Sequence, residues 1–127
     1  MDLKAYFDNT EGMGILSTAD SRGNVDAALY GRPHMQAEDS FALIMQPRLT
    51  YSNLQTNPKA VYMFIEKGPG YTGKRIYLEK IREEANPEKV QAARRSHHGC
   101  KEGDERAKLV FFKVNHIRPL VGDAEVE

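Results

Sequence analysis

The densest chemistry in the chain lies in Leu43-Ile44-Met45-Gln46-Pro47-Arg48-Leu49-Thr50-Tyr51-Ser52-Asn53-Leu54. An apolar, strand-like run leaves directly into a helix start that bears Arg48 and Thr50. Free N–H groups at a helix amino end, with a guanidinium and a hydroxyl beside them, form a site suited to phosphate. The same residues also allow a plainer arrangement, with Thr50 capping the helix and Arg48 in solvent.

A second segment, Leu29-Tyr30-Gly31-Arg32-Pro33-His34, puts Arg32 and His34 at a strand end, where Gly31 would let a flat ligand approach the backbone. The plainer reading is an edge strand with a surface arginine. His97-His98-Gly99-Cys100 groups two imidazoles and a thiol. Structural zinc sites want four spaced ligands and there is no second cysteine, so a polar, dispensable loop is expected there and no metal site. No serine elbow, nucleotide-hydrolase phosphate loop or dinucleotide glycine fingerprint occurs. Nor do the acidic residues pair in a way that selects a hydrolase. No catalytic side chain is assigned.

These residues need elements to position them. Asp2 caps a short first helix with Leu3, Tyr6 and Phe7 on one face, and Gly12 and Gly14 are expected to end it. Ile15–Ala19 and Val25–Met35 read as a hairpin around a Gly- and Asx-rich turn, with Pro33 requiring an edge, a bulge or a strand end. Phe41–Met45 is apolar on both faces and expected to be central. Pro47 and Pro58 bracket a short helix. Val61–Glu66 and Lys74–Glu84 read as strands on either side of a loop with three glycines. Asn86-Pro87-Glu88 starts a helix running to about Arg95. Leu109–Val114 is a strand, with a final short one at Ile117–Val121. Six or seven mostly antiparallel strands with three short helices imply a small closed or half-closed barrel, a mainly β fold.

The chain has 127 residues, enough for one domain over 1–127 with a core that needs no disulfide or metal. Eighteen basic and eighteen acidic side chains balance to zero, without the basic excess usual for proteins that bind the nucleic-acid backbone. Residues 1–66 carry 5 basic and 8 acidic groups, the rest 13 and 10, a mild offset read as solvated surface. No apolar run is long enough to span a membrane, and the amino terminus lacks the apolar core of a signal peptide. With one cysteine, Cys100, a reducing cytoplasmic setting is expected.

The order of motifs resembles the pyridoxamine 5′-phosphate oxidase-like family of FMN-binding split barrels. The matching stretches are Gly14–Asp20 with Gly23 and a second strand, then Phe41–Met45, then Arg48-Leu49-Thr50-Tyr51-Ser52-Asn53-Leu54-Gln55-Thr56-Asn57-Pro58 leading into Ala60–Phe64. They span about residues 3–121, nearly the whole chain.

The resemblance implies a split β-barrel homodimer with FMN in two clefts at the subunit interface. By position, Arg48, Leu49 and Thr50 would hold the FMN phosphate, with Asn53 nearby. Ala28, Leu29, Tyr30, Gly31 and Arg32 would line the ring system with Ile44, Met45 and Gln46. Tyr71 and Thr72 would reach the partner's flavin. The implied function is a flavoprotein, an oxidoreductase or electron-transfer protein acting with a small-molecule donor or acceptor. Departures mark a short relative and not the true oxidase. Ala28, Leu49 and Thr50 stand where the oxidase has Arg and Lys, the chain has no Trp, and Arg118-Pro119 is followed by only eight residues. Alternatives of other classes are a deazaflavin-dependent reductase, a haem protein ligated by His34, His97, His98 or His116, and a non-enzymatic, stress-related ligand-binding barrel.

A dimer is also expected on physical grounds. Strands bearing Tyr62, Phe64, Phe111 and Phe112 present apolar surface that a few short helices would leave uncovered.

Overall fold

The computed structural model describes residues 2–37, 39–86, 88–90, 92 and 106–124. The elements run α1 (Leu3–Asn9), β1 (Gly12–Ala19), β2 (Val25–Tyr30), β3 (His34–Ala37), β4 (Ser40–Met45), α2 (Leu49–Thr56), β5 (Lys59–Glu66), β6 (Gly73–Glu84) and β7 (Lys108–Pro119). A helical turn at 88–90 follows β6. The strands form one antiparallel sheet in the order β2-β1-β5-β6-β7-β4-β3.

That order forces the sheet to curl. β2 and β3 are opposite edges, yet only Gly31-Arg32-Pro33 joins them. Four Cα steps reach at most about 15 Å. Seven flat strands would hold their edges about 29 Å apart, at roughly 4.8 Å per spacing. The edges must therefore approach, and the sheet becomes a barrel split between β2 and β3.

β6 is the hinge of the two halves. Its first part pairs with β5 and its whole length with β7, and the register shifts at Tyr77/Leu78 and again at Lys80/Arg82. Such bulges bend a strand and raise its twist.

Alternation along the strands sorts the side chains. Leu16, Phe41, Leu43, Met45, Tyr62, Phe64, Ile76, Leu78, Val110 and Phe112 point inward and are fully buried with Leu3 and Phe7 of α1. Phe7 meets the Phe64 ring edge-on, centroids 5.2 Å apart, so α1 plugs the barrel. Asp2 caps that helix, its carboxylate accepting from the Ala5 amide at 3.1 Å. A second cluster of Ala42, Val90, Ala107, Leu109 and Phe111 covers the other face of β4 and β7. That explains why the Phe41–Met45 run is apolar on both sides, although β4 is next to an edge and not central.

Several expectations need correction. Gly12 and Gly14 do not end the first helix; they lie in β1. A Cβ on Gly14 would sit 2.1 Å from the Tyr62 hydroxyl, and one on Gly12 would sit 2.7 Å from the Phe64 ring. The glycines let aromatic side chains cross β1. The strand expected over Val25–Met35 breaks at 31–33, where the chain passes from one sheet edge to the other. The two final strands are one, β7, with Asn115 bulged out of register. Tyr62, Phe64, Phe111 and Phe112 are buried within the protomer, so they are not the uncovered surface. Asn86 does cap a helix, accepting from the Glu88 amide at 2.9 Å. The end expected near Arg95, and the segment His97–Cys100, lie outside the described residues.

Candidate functional site

The start of α2 gathers backbone donors and a guanidinium at one place. Arg48 occupies the N-cap position with extended backbone, and no side chain caps the helix. The first-turn amides thus lack the side-chain acceptor that helix starts ordinarily use. No acidic residue stands in that turn. Arg48 is exposed, whereas Thr50 is buried, 5 % accessible.

The half-buried Tyr30 phenol, at the end of β2, lies against this turn. Burial raises its pKa, while the nearby Thr50 side chain and the positive charge of Arg48 pull the other way. Three residues singled out from sequence, Tyr30, Arg48 and Thr50, are therefore brought together. Two residues upstream of Arg48, the buried Oε1 of Gln46 has no hydrogen-bond partner. A buried acceptor left alone costs about 1–3 kcal/mol, so it invites a donor from a ligand.

Asn53 and Thr18, both buried, fasten α2 to β1: the Asn53 amide donates to the Thr18 hydroxyl at 3.1 Å. At the other side of the helix, Glu83 of β6 accepts from the Tyr51 hydroxyl, from Lys80 at 2.8 Å and from Gln55 at 3.3 Å. Burial pushes the Glu83 carboxyl up, but these donors outweigh it and hold it below the ordinary range. Burial and the Glu83 carboxylate push the Tyr51 phenol up to about 12. The helix is thus bolted to both β1 and β6.

The remaining candidates are dispersed. Ala28 is half-buried on the same side as Tyr30, while Leu29 faces outward and is 70 % exposed. Gly31 borders open space, with nothing within 4 Å of where a Cβ would stand. Arg32 is not a free surface cation: its Nη1 donates to the Phe7 carbonyl at 2.8 Å, at the end of α1. Ile44 packs against the second cluster, and the Met45 side chain is fully buried in the barrel core. Leu49 is 58 % exposed. Tyr71, 86 % exposed, and Thr72 lie on the β5–β6 loop, two strands removed from β2.

The outer face of β2, β1 and the middle of β5 is largely apolar and has no element over it in the described structure, while charged Lys59, Arg75 and Glu79 stand toward β6. Register places Leu29 beside Ile15, Ile15 beside Met63, Val25 beside Ala19, and Val61 between Ser17 and Tyr77. Val25 is 82 % exposed and Met13 54 %. An open depression of about 400 Å³ lies here, lined in part by Ser17, Val25, Val61, Tyr77, Asn115 and His116. The exposed apolar residues of this half are these outward ones, and not the inward aromatic ones.

Thr18, Tyr51 and Glu83, which hold α2 in place, carry no signal in the sequence. Each acts through a partner far along the chain, so no local spacing marks it. Among the described residues no group of three or more His, Cys, Asp or Glu could hold a metal ion, and no helix is long and apolar enough to cross a membrane.

No protein-family model and no curated protein matches the chain. Solved structures do. An FMN-binding protein from Syntrophomonas wolfei is 20% identical, with a TM-score of 0.80 over 97% of this chain and 86% of its own. HupZ of Group A Streptococcus is 16% identical, with a TM-score of 0.76 over 98% of this chain and 95% of its own. A candidate pyridoxamine 5′-phosphate oxidase from Lactobacillus delbrueckii is 17% identical, with a TM-score of 0.67 over 90% of this chain and 88% of its own. The bent seven-stranded antiparallel barrel, closed by a three-residue link and plugged by α1, is the FMN-binding split-barrel fold of the pyridoxamine 5′-phosphate oxidase-like proteins.

Proposed function

We propose that the chain is a flavoprotein that holds FMN by its phosphate at the start of α2. The observation that carries this reading is the convergence of Arg48, Thr50 and Tyr30 on a helix start with neither a capping side chain nor an acidic residue. A phosphate monoester carries close to two negative charges at neutral pH and accepts through three oxygens. Backbone amides, a guanidinium and a phenol are donors matched to it. The lone Gln46 acceptor fits the rest of the molecule, since a flavin nucleotide also brings hydroxyl and N–H donors. The FMN-binding neighbour of the same fold supports this cofactor.

Bound flavin would supply redox chemistry, which makes the chain an oxidoreductase or electron-transfer protein with a small-molecule donor or acceptor. Arg48 and the α2 amides hold the phosphate, and Tyr30 closes that end of the site. The outer face carrying Val25, Leu29, Ile15 and Met63 meets a second copy, so that the flavin cleft lies at the subunit interface. Apolar faces of this kind are covered in stable proteins. The lone cysteine suits a reducing, cytoplasmic setting.

The test is a titration of flavin-free protein with FMN and with riboflavin, read by quenching of flavin fluorescence. Binding of FMN at least tenfold tighter than riboflavin supports the phosphate site. Equal affinities, or no uptake of either, contradict it.

A further inference from the structure

The link that closes the split is held from inside the barrel. Tyr62 is fully buried in β5, its ring packed among Phe7, Phe41 and Phe64. Its hydroxyl passes over Gly14, where any Cβ would collide with it, and donates to the Gly31 carbonyl at 2.9 Å. The next residue, Arg32, is tied to the Phe7 carbonyl. Two part-buried hydrogen bonds thus fix the peptide between Gly31, which is exposed, and Arg32.

Trans geometry decides what that peptide presents. No cis bond occurs among the described residues, so the Arg32 N–H points opposite to the Gly31 carbonyl. With the carbonyl drawn inward by Tyr62, the N–H is aimed away from the barrel interior. Beside it Gly31 has no side chain, and the space its Cβ would enter is open. A fixed donor next to a bare backbone is what a planar, acceptor-bearing ring needs for close approach.

We infer that Tyr62 is a positioning residue: it orients the Gly31–Arg32 peptide so that this peptide, and not a side chain, is presented to the flavin ring. The inference rests on the flavin reading above, and its test separates the two. Tyr62→Phe keeps the ring and removes only the hydroxyl. One lost hydrogen bond corresponds to affinity weaker by about three- to tenfold. The loss is the same for FMN and riboflavin, because the ring is common to both. Hydrogen exchange of flavin-free protein accelerates at residues 28–33 while the melting transition remains cooperative. Gly31→Ala serves as the second variant. Its methyl meets nothing in the protomer, so the flavin-free fold is kept while both flavins bind more weakly.

Unchanged flavin affinity in both variants overturns the inference, as does a Tyr62→Phe loss confined to FMN. A wild type that takes up neither flavin overturns the flavin reading, and the assignment of the peptide to a flavin ring falls with it. Unchanged exchange at 28–33 in Tyr62→Phe would show by itself that Tyr62 does not position the link.

Discussion

The Asn53 amide donates to the Thr18 hydroxyl at 3.1 Å, with both side chains about 4 % exposed. This bond joins the helix that carries the candidate phosphate site to the strand it lies on. Asn53 is therefore placed to set the height of α2 over β1. It serves the site by holding its frame.

Removing one partner strands the other. Thr18→Val leaves the buried Asn53 amide without its acceptor, an expected loss of about 1–3 kcal/mol in urea unfolding. Replacing both, with Thr18→Val and Asn53→Leu, removes the stranded group, so the double variant loses less than the sum of the single ones. Additive losses would show that the two do not act as a pair.

Glu83 gives a pH dependence with a definite sign. Its folded-state pKa lies below the ordinary 4.5 because Lys80, Tyr51 and Gln55 outweigh burial. The stability it contributes is present above the unfolded value and is lost as pH falls through the folded one. Wild-type stability should therefore drop between about pH 5 and the acid limit. Asp20 and Glu79 are lowered as well, so the diagnostic is a difference. Glu83→Gln should show a shallower decline over that window when melting is followed at each pH. An identical slope would exclude Glu83 as a source.

The outer face yields a prediction about assembly. Leu29 is on an edge strand, 70 % exposed and beside Ile15. Leu29→Glu should leave the protomer's melting largely intact, since surface changes there cost within about 0.5 kcal/mol. Light scattering should find the wild type dimeric at micromolar concentration and the variant shifted to monomer. A wild type that is monomeric under those conditions would remove the interface cleft from the account.

His97, His98 and Cys100 are expected to be dispensable for the cofactor. A variant with all three replaced should take up as much flavin as the wild type, by absorbance per chain. Loss of flavin, or of a stoichiometric metal, would give that segment a role.

Much of the fold is legible from local pattern. Asp2 and Asn86 announce helix starts because a cap is a contact across two or three residues. Pro47 and Pro58 bracket α2 because proline acts on its neighbours. Inward and outward faces along β1 and β5 follow from alternation. What is not legible is which residues meet across the barrel. Tyr62 reads as a core aromatic, and only the curled sheet brings its hydroxyl to Gly31. Gly14 reads as a helix stop, and only the crossing of Tyr62 explains it. Arg32 reads as a surface cation until α1 is seen to place the Phe7 carbonyl beside it. The break at 31–33 is signalled by Gly31 and Pro33, but its consequence, a jump between sheet edges, depends on the whole strand order.

The central claim is that Arg48 and the start of α2 read the flavin phosphate, and one comparison tests it most directly. A charge-assisted contact is worth about 1.5–3 kcal/mol, so Arg48→Ala should weaken FMN about ten- to a hundredfold and leave riboflavin nearly unchanged. Thr50→Ala should cost less, about 0.5–1.5 kcal/mol, because the backbone donors remain. An Arg48→Ala variant that binds FMN as the wild type does, or that loses both flavins equally, would contradict the account.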